Sequence, residues 1–129
     1  MVIYLDFDGT IVEEEYPLIG EYNEGSLEIV RKLQDAGHEI VLNTRRADFN
    51  NLTLEEAIDY LNFSDKIKKI TKVQEYKIEP NYWDWDIHKR ENEIFIDDIT
   101  PGIPLLPGKF SSKVDWKTLD KEFKENGLY

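Results

Sequence analysis

The first eleven residues, Met1-Val2-Ile3-Tyr4-Leu5-Asp6-Phe7-Asp8-Gly9-Thr10-Ile11, constrain the fold more than any other stretch of the chain. Val2 to Leu5 is a short apolar run closed by an acidic, glycine-containing break, which is how a buried strand of a parallel sheet reads. Side chains of a strand alternate between faces, so Asp6 and Asp8 project the same way at its end. That end is the carboxyl edge of the sheet, where open α/β folds bind ligands. Gly9 lets the backbone turn sharply there, close to whatever is bound. Taken alone, an Asp-x-Asp pair reads more readily as a polar turn. The remainder of the chain supplies the context.

Residues 12–25 form a turn-rich excursion punctuated by Pro17, Gly20 and Gly25. A helix is predicted from Ser26, as N-cap, to Ala36, with Leu27, Val30 and Leu33 at helical spacing and Gly37 as its stop. Glu39 to Asn43 reads as a second strand, completing a right-handed βαβ unit. Thr44-Arg45-Arg46 stands at its end, on the same edge as Asp6 and Asp8. A polar loop follows, then a capping box, Thr53-Leu54-Glu55-Glu56, opens a helix to Asn62. Ile67 to Val73 alternates like a third strand. Residues 74–92 are expected to be a loop with one short helical turn. Glu93 to Ile96 is another apolar strand, with Asp97-Asp98 at its end. A Pro/Gly-rich segment leads to a last helix over 115–126, stopped by Gly127.

At 129 residues the chain is expected to be one α/β domain, residues 1–129, a compact doubly wound, Rossmann-like parallel sheet. It has no cysteine, which removes disulfides, thiolate metal sites and cysteine nucleophiles. It has neither a long apolar run nor a basic-plus-apolar leader, so a cytoplasmic protein away from membranes is expected. The net charge of −11 repels nucleic acid and anionic membranes in bulk.

Three strand ends therefore carry chemistry in order: Asp6 and Asp8, then Thr44, then Asp97 and Asp98. Four carboxylates on one edge raise one another's pKa or need a counter-cation. With oxygen ligands only, Mg²⁺ is the natural candidate. Together with Lys89, just upstream of the last strand, and Arg45, such an ion makes a small positive pocket on an acidic protein, suited to phosphate.

The same residues carry a resemblance. Leu5-Asp6-Phe7-Asp8-Gly9-Thr10-Ile11 resembles the first motif of the haloacid dehalogenase-like hydrolases, Val41-Leu42-Asn43-Thr44 the second, and Ile94-Phe95-Ile96-Asp97-Asp98 the fourth. For the third motif, a lysine before the last strand, Lys89 is the best-placed candidate, ahead of Lys77 and Lys72. The run Asp8-Gly9-Thr10-Ile11-Val12 with Tyr16-Pro17-Leu18-Ile19-Gly20 is similar to a branch of small bacterial and phage members. The resemblance implies a Mg²⁺-dependent phosphatase working through an aspartyl-phosphate. Asp6 would be nucleophile and metal ligand, and Asp8 the acid and base, its position also contributing to the metal. Asp97 and Asp98 would fix the metal, and Thr44, Arg45 and Lys89 would hold phosphoryl oxygens. Where branch members often continue after the last Asp pair with Arg-Asn, this chain has Ile99-Thr100.

The intervals between motifs leave no room for a large cap. An open site admits a bulky substrate or cover by a second subunit. A small phosphorylated substrate is expected first, and a nucleic-acid terminal phosphate second. Two other readings stay open: a receiver-like phospho-acceptor domain, and a catalytically silent binding or regulatory module on the same fold. In a receiver-like domain the acidic pair precedes the phosphorylated Asp, whereas here the adjacent pair comes last. The Tyr82-Trp83-Asp84-Trp85 cluster is expected to pack a small core. Lys66, Lys68, Lys69 and Lys72 are expected on a solvated face.

Overall fold

A computed structural model of residues 1–129 shows a four-stranded, all-parallel sheet flanked by helices, with no large cap inserted. Strand β1 (Val2–Leu5) lies inside the sheet, paired with β2 (Glu39–Leu42) on one side and β4 (Glu93–Ile96) on the other. The short β3 (Lys72–Val73) extends β2, giving the order β3-β2-β1-β4. One face carries Ile3, Leu5, Ile40, Leu42, Ile94 and Ile96 into a hydrophobic core of 24 residues. On the other face Tyr4 stacks on Phe95, ring centroids 4.6 Å apart, a cross-strand pair in neighbouring parallel strands.

The order carries the function. The chain winds outward from β1 to β2 and β3, then returns to place β4 on the opposite flank of β1. The reversal opens a crevice at the carboxyl ends of β1 and β4, the position where such sheets take ligands. Register makes the crevice acidic. Leu5 is level with Leu42 and Ile96, so the next residues in line are Asp6, Asn43 and Asp97. The Asp6 amide donates to the Ile96 carbonyl at 2.9 Å, locking the two strand ends together.

Helix α1 (Ser26–Asp35) buries Leu27, Ile29, Val30 and Leu33. Its N-cap is Gly25, and the expected cap, Ser26, instead donates its hydroxyl to the Ile11 carbonyl at 3.0 Å. The polar loop after β2 contains a one-turn helix, α2 (Arg46–Phe49). Helix α3 (Asn51–Asn62) begins one turn before the predicted box. Asn50 caps it by accepting from Leu52 at 2.8 Å and Thr53 at 3.4 Å, and Thr53 donates back to the Asn50 carbonyl. An Asn at N-cap is at least as strong as Thr, so the earlier start wins.

The strand expected over 67–73 shrinks to Lys72–Val73. Ile67 and Ile70 are still buried, on irregular backbone tied down by the Asn62 amide at the Ile70 N–H and carbonyl. The single turn expected within 74–92 is a seven-residue helix, α4 (Trp85–Glu91), capped by Asp84. The Pro/Gly segment holds a short antiparallel hairpin, β5 (Leu105–Leu106) with β6 (Lys113–Val114). Helix α5 (Trp116–Glu125) packs Trp116, Leu119 and Phe123 into the core, and Trp116 donates from its indole to the Thr10 carbonyl at 2.8 Å. The C-terminal third thus braces the loop that follows β1. No helix is long and apolar enough to cross a membrane.

Candidate functional site

Four ionisable groups meet where β1 and β4 end. A carboxylate oxygen from each of Asp6, Asp97 and Asp98 lies within 4.8 Å of the others. Lys77 enters from the segment after β3, its Nζ 2.8 Å from Asp97 Oδ2 and 3.4 Å from Asp6 Oδ1. Asp6 and Asp97 are almost fully buried, and the Lys77 side chain is only 5% exposed. Gly9 is indispensable here. Its φ of +79° is left-handed, and a Cβ would stand 2.6 Å from the Asp98 carboxylate.

The cluster is short of positive charge. Burial, reinforced by the Asp97 charge, pushes Asp6 well above the usual carboxyl range despite the pull of Lys77. Burial also raises Asp98; contact with Asp6 pulls it back, Asp97 pushes it up again, and it titrates at about 6. Burial works against the Lys77 charge, yet Asp6 and Asp97 outweigh it and hold the ammonium above its ordinary value. Hydrogen bonds are incomplete too. Thr10 donates to Asp6 Oδ2 at 3.2 Å and the Ile99 amide to Asp97 Oδ1 at 3.0 Å. Asp97 Oδ2, fully buried, receives no well-directed hydrogen bond and has only its ion pair with Lys77.

A divalent ion fits this donor set. Three carboxylates with no sulfur or imidazole suit a hard cation. Oxygens within 4.8 Å of one another are close enough to be drawn onto one small cation. Asp6, Asp97 and Asp98 would hold the ion, with the under-bonded Asp97 Oδ2 among the donors.

Asp8 behaves differently. Its carboxylate is turned to Arg46, which forks it with Nε at 2.7 Å and Nη2 at 2.8 Å. Asp8 is therefore on the shared edge, as its spacing predicts, but its carboxylate is not among the three that converge. Arg46 also donates to the carbonyls of Thr53 and Leu18, both at 3.0 Å, and its guanidinium lies 5.2 Å from the ring centres of Phe7 and Tyr16. It is 1% exposed. One side chain thus ties the β1 loop, the 13–20 excursion and the start of α3 together.

The remaining predicted residues divide. Thr44 is buried at the end of β2, where its hydroxyl accepts from the Arg46 amide at 3.2 Å and starts α2. Arg45 borders the cavity, but its charge is paired with Glu79 at 2.8 Å in solvent. Lys89 is corrected: it lies exposed on the last turn of α4, away from the cavity, and Lys77 takes the place expected for it. The signal for Lys77 was Asn43. Its amide accepts from the Ile78 N–H at 2.8 Å and donates to the Ile78 carbonyl at 2.9 Å, laying the segment across the end of β2. The sequence placed Arg46 at the same strand end as Thr44 and Arg45 but carried no signal for its fork to Asp8.

Away from the edge, Trp83 and Trp85 pack with His88 and Phe123, and Glu122 accepts from both indoles, so these two indoles pack as expected, whereas Tyr82 is 61% exposed. Lys66, Lys68 and Lys72 pair with Glu28, Asp35 and Glu39 on the surface.

The fold and edge define an α/β protein with a Rossmann-like parallel sheet and a carboxylate-lined cavity at its switch point. No protein-family model and no curated protein matches the chain. Among solved structures it is similar to one described as a conserved protein coded by a locus from Bacteroides thetaiotaomicron. The two are 26% identical over 97% of this chain and 90% of that one, with a TM-score of 0.64.

Proposed function

We propose that the chain is a Mg²⁺-dependent phosphoric monoester hydrolase of the haloacid dehalogenase-like type, with Asp6 as nucleophile. The observation that carries the reading is the convergence of Asp6 with Asp97 and Asp98, about ninety residues on, around a gap where only Lys77 offsets their charge. When bound, the divalent ion supplies charge neutralisation that lets a phosphate dianion approach a carboxylate.

An Asp6 oxygen forms a bond to phosphorus as the bond from phosphorus to the ester oxygen breaks, giving an aspartyl-phosphate and an alcohol. Asp8 gives the proton that the leaving oxygen takes up. It then accepts a proton from the water that hydrolyses the intermediate, releasing inorganic phosphate and restoring Asp6. With both oxygens on Arg46, Asp8 must release one arm to hold that proton. Lys77 lines the cavity, which supports giving it, in place of Lys89, the task of holding a transferring oxygen. A second reading, a silent phosphate- or metal-binding module, is favoured by the same Arg46 fork, because it engages both oxygens of the proposed acid.

A screen of phosphomonoesters with and without Mg²⁺, run beside Asp6→Asn, separates the two. The proposed enzyme releases phosphate only with the ion, and the variant loses about 10³-fold or more of the rate. Equal rates in variant and wild type would remove Asp6 from the mechanism.

A further inference from the structure

The cavity over the carboxylates holds about 210 Å³. Ligand pockets more usually run from roughly 300 Å³ upward, so with a phosphoryl group on the carboxylates this one has room for only the near part of an ester group, whose remainder extends through the mouth. Three elements bring apolar side chains to that mouth: Tyr16 from the excursion after β1, Phe49 from the end of α2, and Ile99 from the turn after β4. None has a part in the chemistry proposed above. Phe49 and Ile99 are 62% and 47% exposed, an arrangement water disfavours and a ligand relieves. Other exposed aromatics, such as Phe63 and Phe110, lie singly on the surface away from the cavity.

The pair is organised. Tyr16 and Phe49 stand with ring centres 5.8 Å apart at 55°, leaving one face of each ring unstacked by the other. Tyr16 is held by Arg46 beneath it and by its own amide on Glu14 at 2.9 Å. The polar groups at the mouth select against extra charge. Glu14 borders the cavity as a carboxylate, and Arg45 is already paired with Glu79. A second phosphate there would meet an acidic rim on an acidic protein.

We propose that Tyr16, Phe49 and Ile99 form a leaving-group subsite for a planar ring, so that the substrates are monophosphate esters of ring-bearing, otherwise uncharged alcohols, the class that includes nucleoside monophosphates. The inference rests on the phosphatase reading for the direction in which the ester group points, and its test does not need turnover. Calorimetric titration with benzylphosphonate and ethylphosphonate, whose carbon–phosphorus bonds are not hydrolysed, is run with Mg²⁺ present on wild type, Phe49→Ala and Phe49→Tyr. Phe49 is exposed, so truncating it leaves the fold intact.

Wild type binds the benzyl compound about tenfold more tightly than the ethyl compound. Phe49→Ala brings the two within about threefold, and Phe49→Tyr keeps the preference. Equal affinities in wild type, a preference untouched by Phe49→Ala, or binding of neither phosphonate overturns the subsite. A ring preference in a protein that hydrolyses no ester sinks the phosphatase reading alone. Hydrolysis without the preference sinks the subsite alone.

Discussion

On one side of the edge cavity Asp8 meets Arg46 through two short hydrogen bonds, a guanidinium and a carboxylate balancing charge for charge. On the other side, Asp6, Asp97 and Asp98 share a single ammonium, and one buried oxygen lacks a directed hydrogen bond. Burial is comparable on the two sides, so solvent does not explain the contrast. The balanced half fixes three chain segments through Arg46 and holds Asp8 in place beside the cavity. The unbalanced half carries carboxyl pKa values raised by burial first and by the neighbouring Asp97 charge after it, with Lys77 pulling too weakly to restore them. Buried charge is tolerated when paired and points to a ligand when it is not.

Breaking the balanced half has the largest expected effect. Arg46→Met leaves Asp8 unpaired and strips the Leu18 and Thr53 carbonyls of their donor, costing about 3–5 kcal/mol in urea unfolding. Asp8→Asn in the same background recovers part of that loss. A cost below about 1 kcal/mol would contradict the clamp.

Relieving the unbalanced half has the opposite sign. Asp98 titrates at about 6 in the folded chain against an ordinary 3.8, so the folded state binds the extra proton between those values. Its contribution to stability is fully present below the lower value and is lost as pH rises through 6. Without divalent ions, Asp98→Asn therefore stabilises the protein at pH 7.5 by about 1–2 kcal/mol, after allowance for partial exposure, and has little effect near pH 4. His88 moves the other way. Burial holds its imidazole below the ordinary value, so the unfolded state takes up that proton first and stability falls as pH drops. The difference between wild type and Asp98→Asn across pH cancels this background. A difference independent of pH would deny the crowding of Asp98.

The smallest effect belongs to Lys89→Ala. The side chain is exposed at the end of α4, and unfolding free energy should change by less than about 0.5 kcal/mol with hydrolysis unaltered. A large loss of hydrolysis would restore Lys89 to the role now given to Lys77.

The contrast also explains what the sequence could convey. The converging aspartates were legible because strand register is local. An apolar run ending in Asp, repeated at 2–6 and 93–97, puts both carboxylates level once the strands are parallel neighbours. Lys77 was legible only as a runner-up to Lys89, and the fork of Arg46 to Asp8 not at all. The segment carrying Lys77 has no periodicity and is laid down by the Asn43 amide, thirty-five residues earlier in the chain. Arg46 acquires its meaning from Asp8, thirty-eight residues away. The short α2 and the β5–β6 hairpin escaped for a related reason, since elements of four and two residues carry too little pattern to read.

Isothermal titration of the wild-type protein with Mg²⁺ at pH 7.5, beside Asp97→Asn, tests most directly whether the unbalanced half is a cation site. The account predicts one ion per chain in wild type, a stabilisation of about 2.7 kcal/mol at a hundredfold excess over its dissociation constant, and loss of both in the variant. Wild type that binds no ion, or a variant that binds it equally well, would contradict the account.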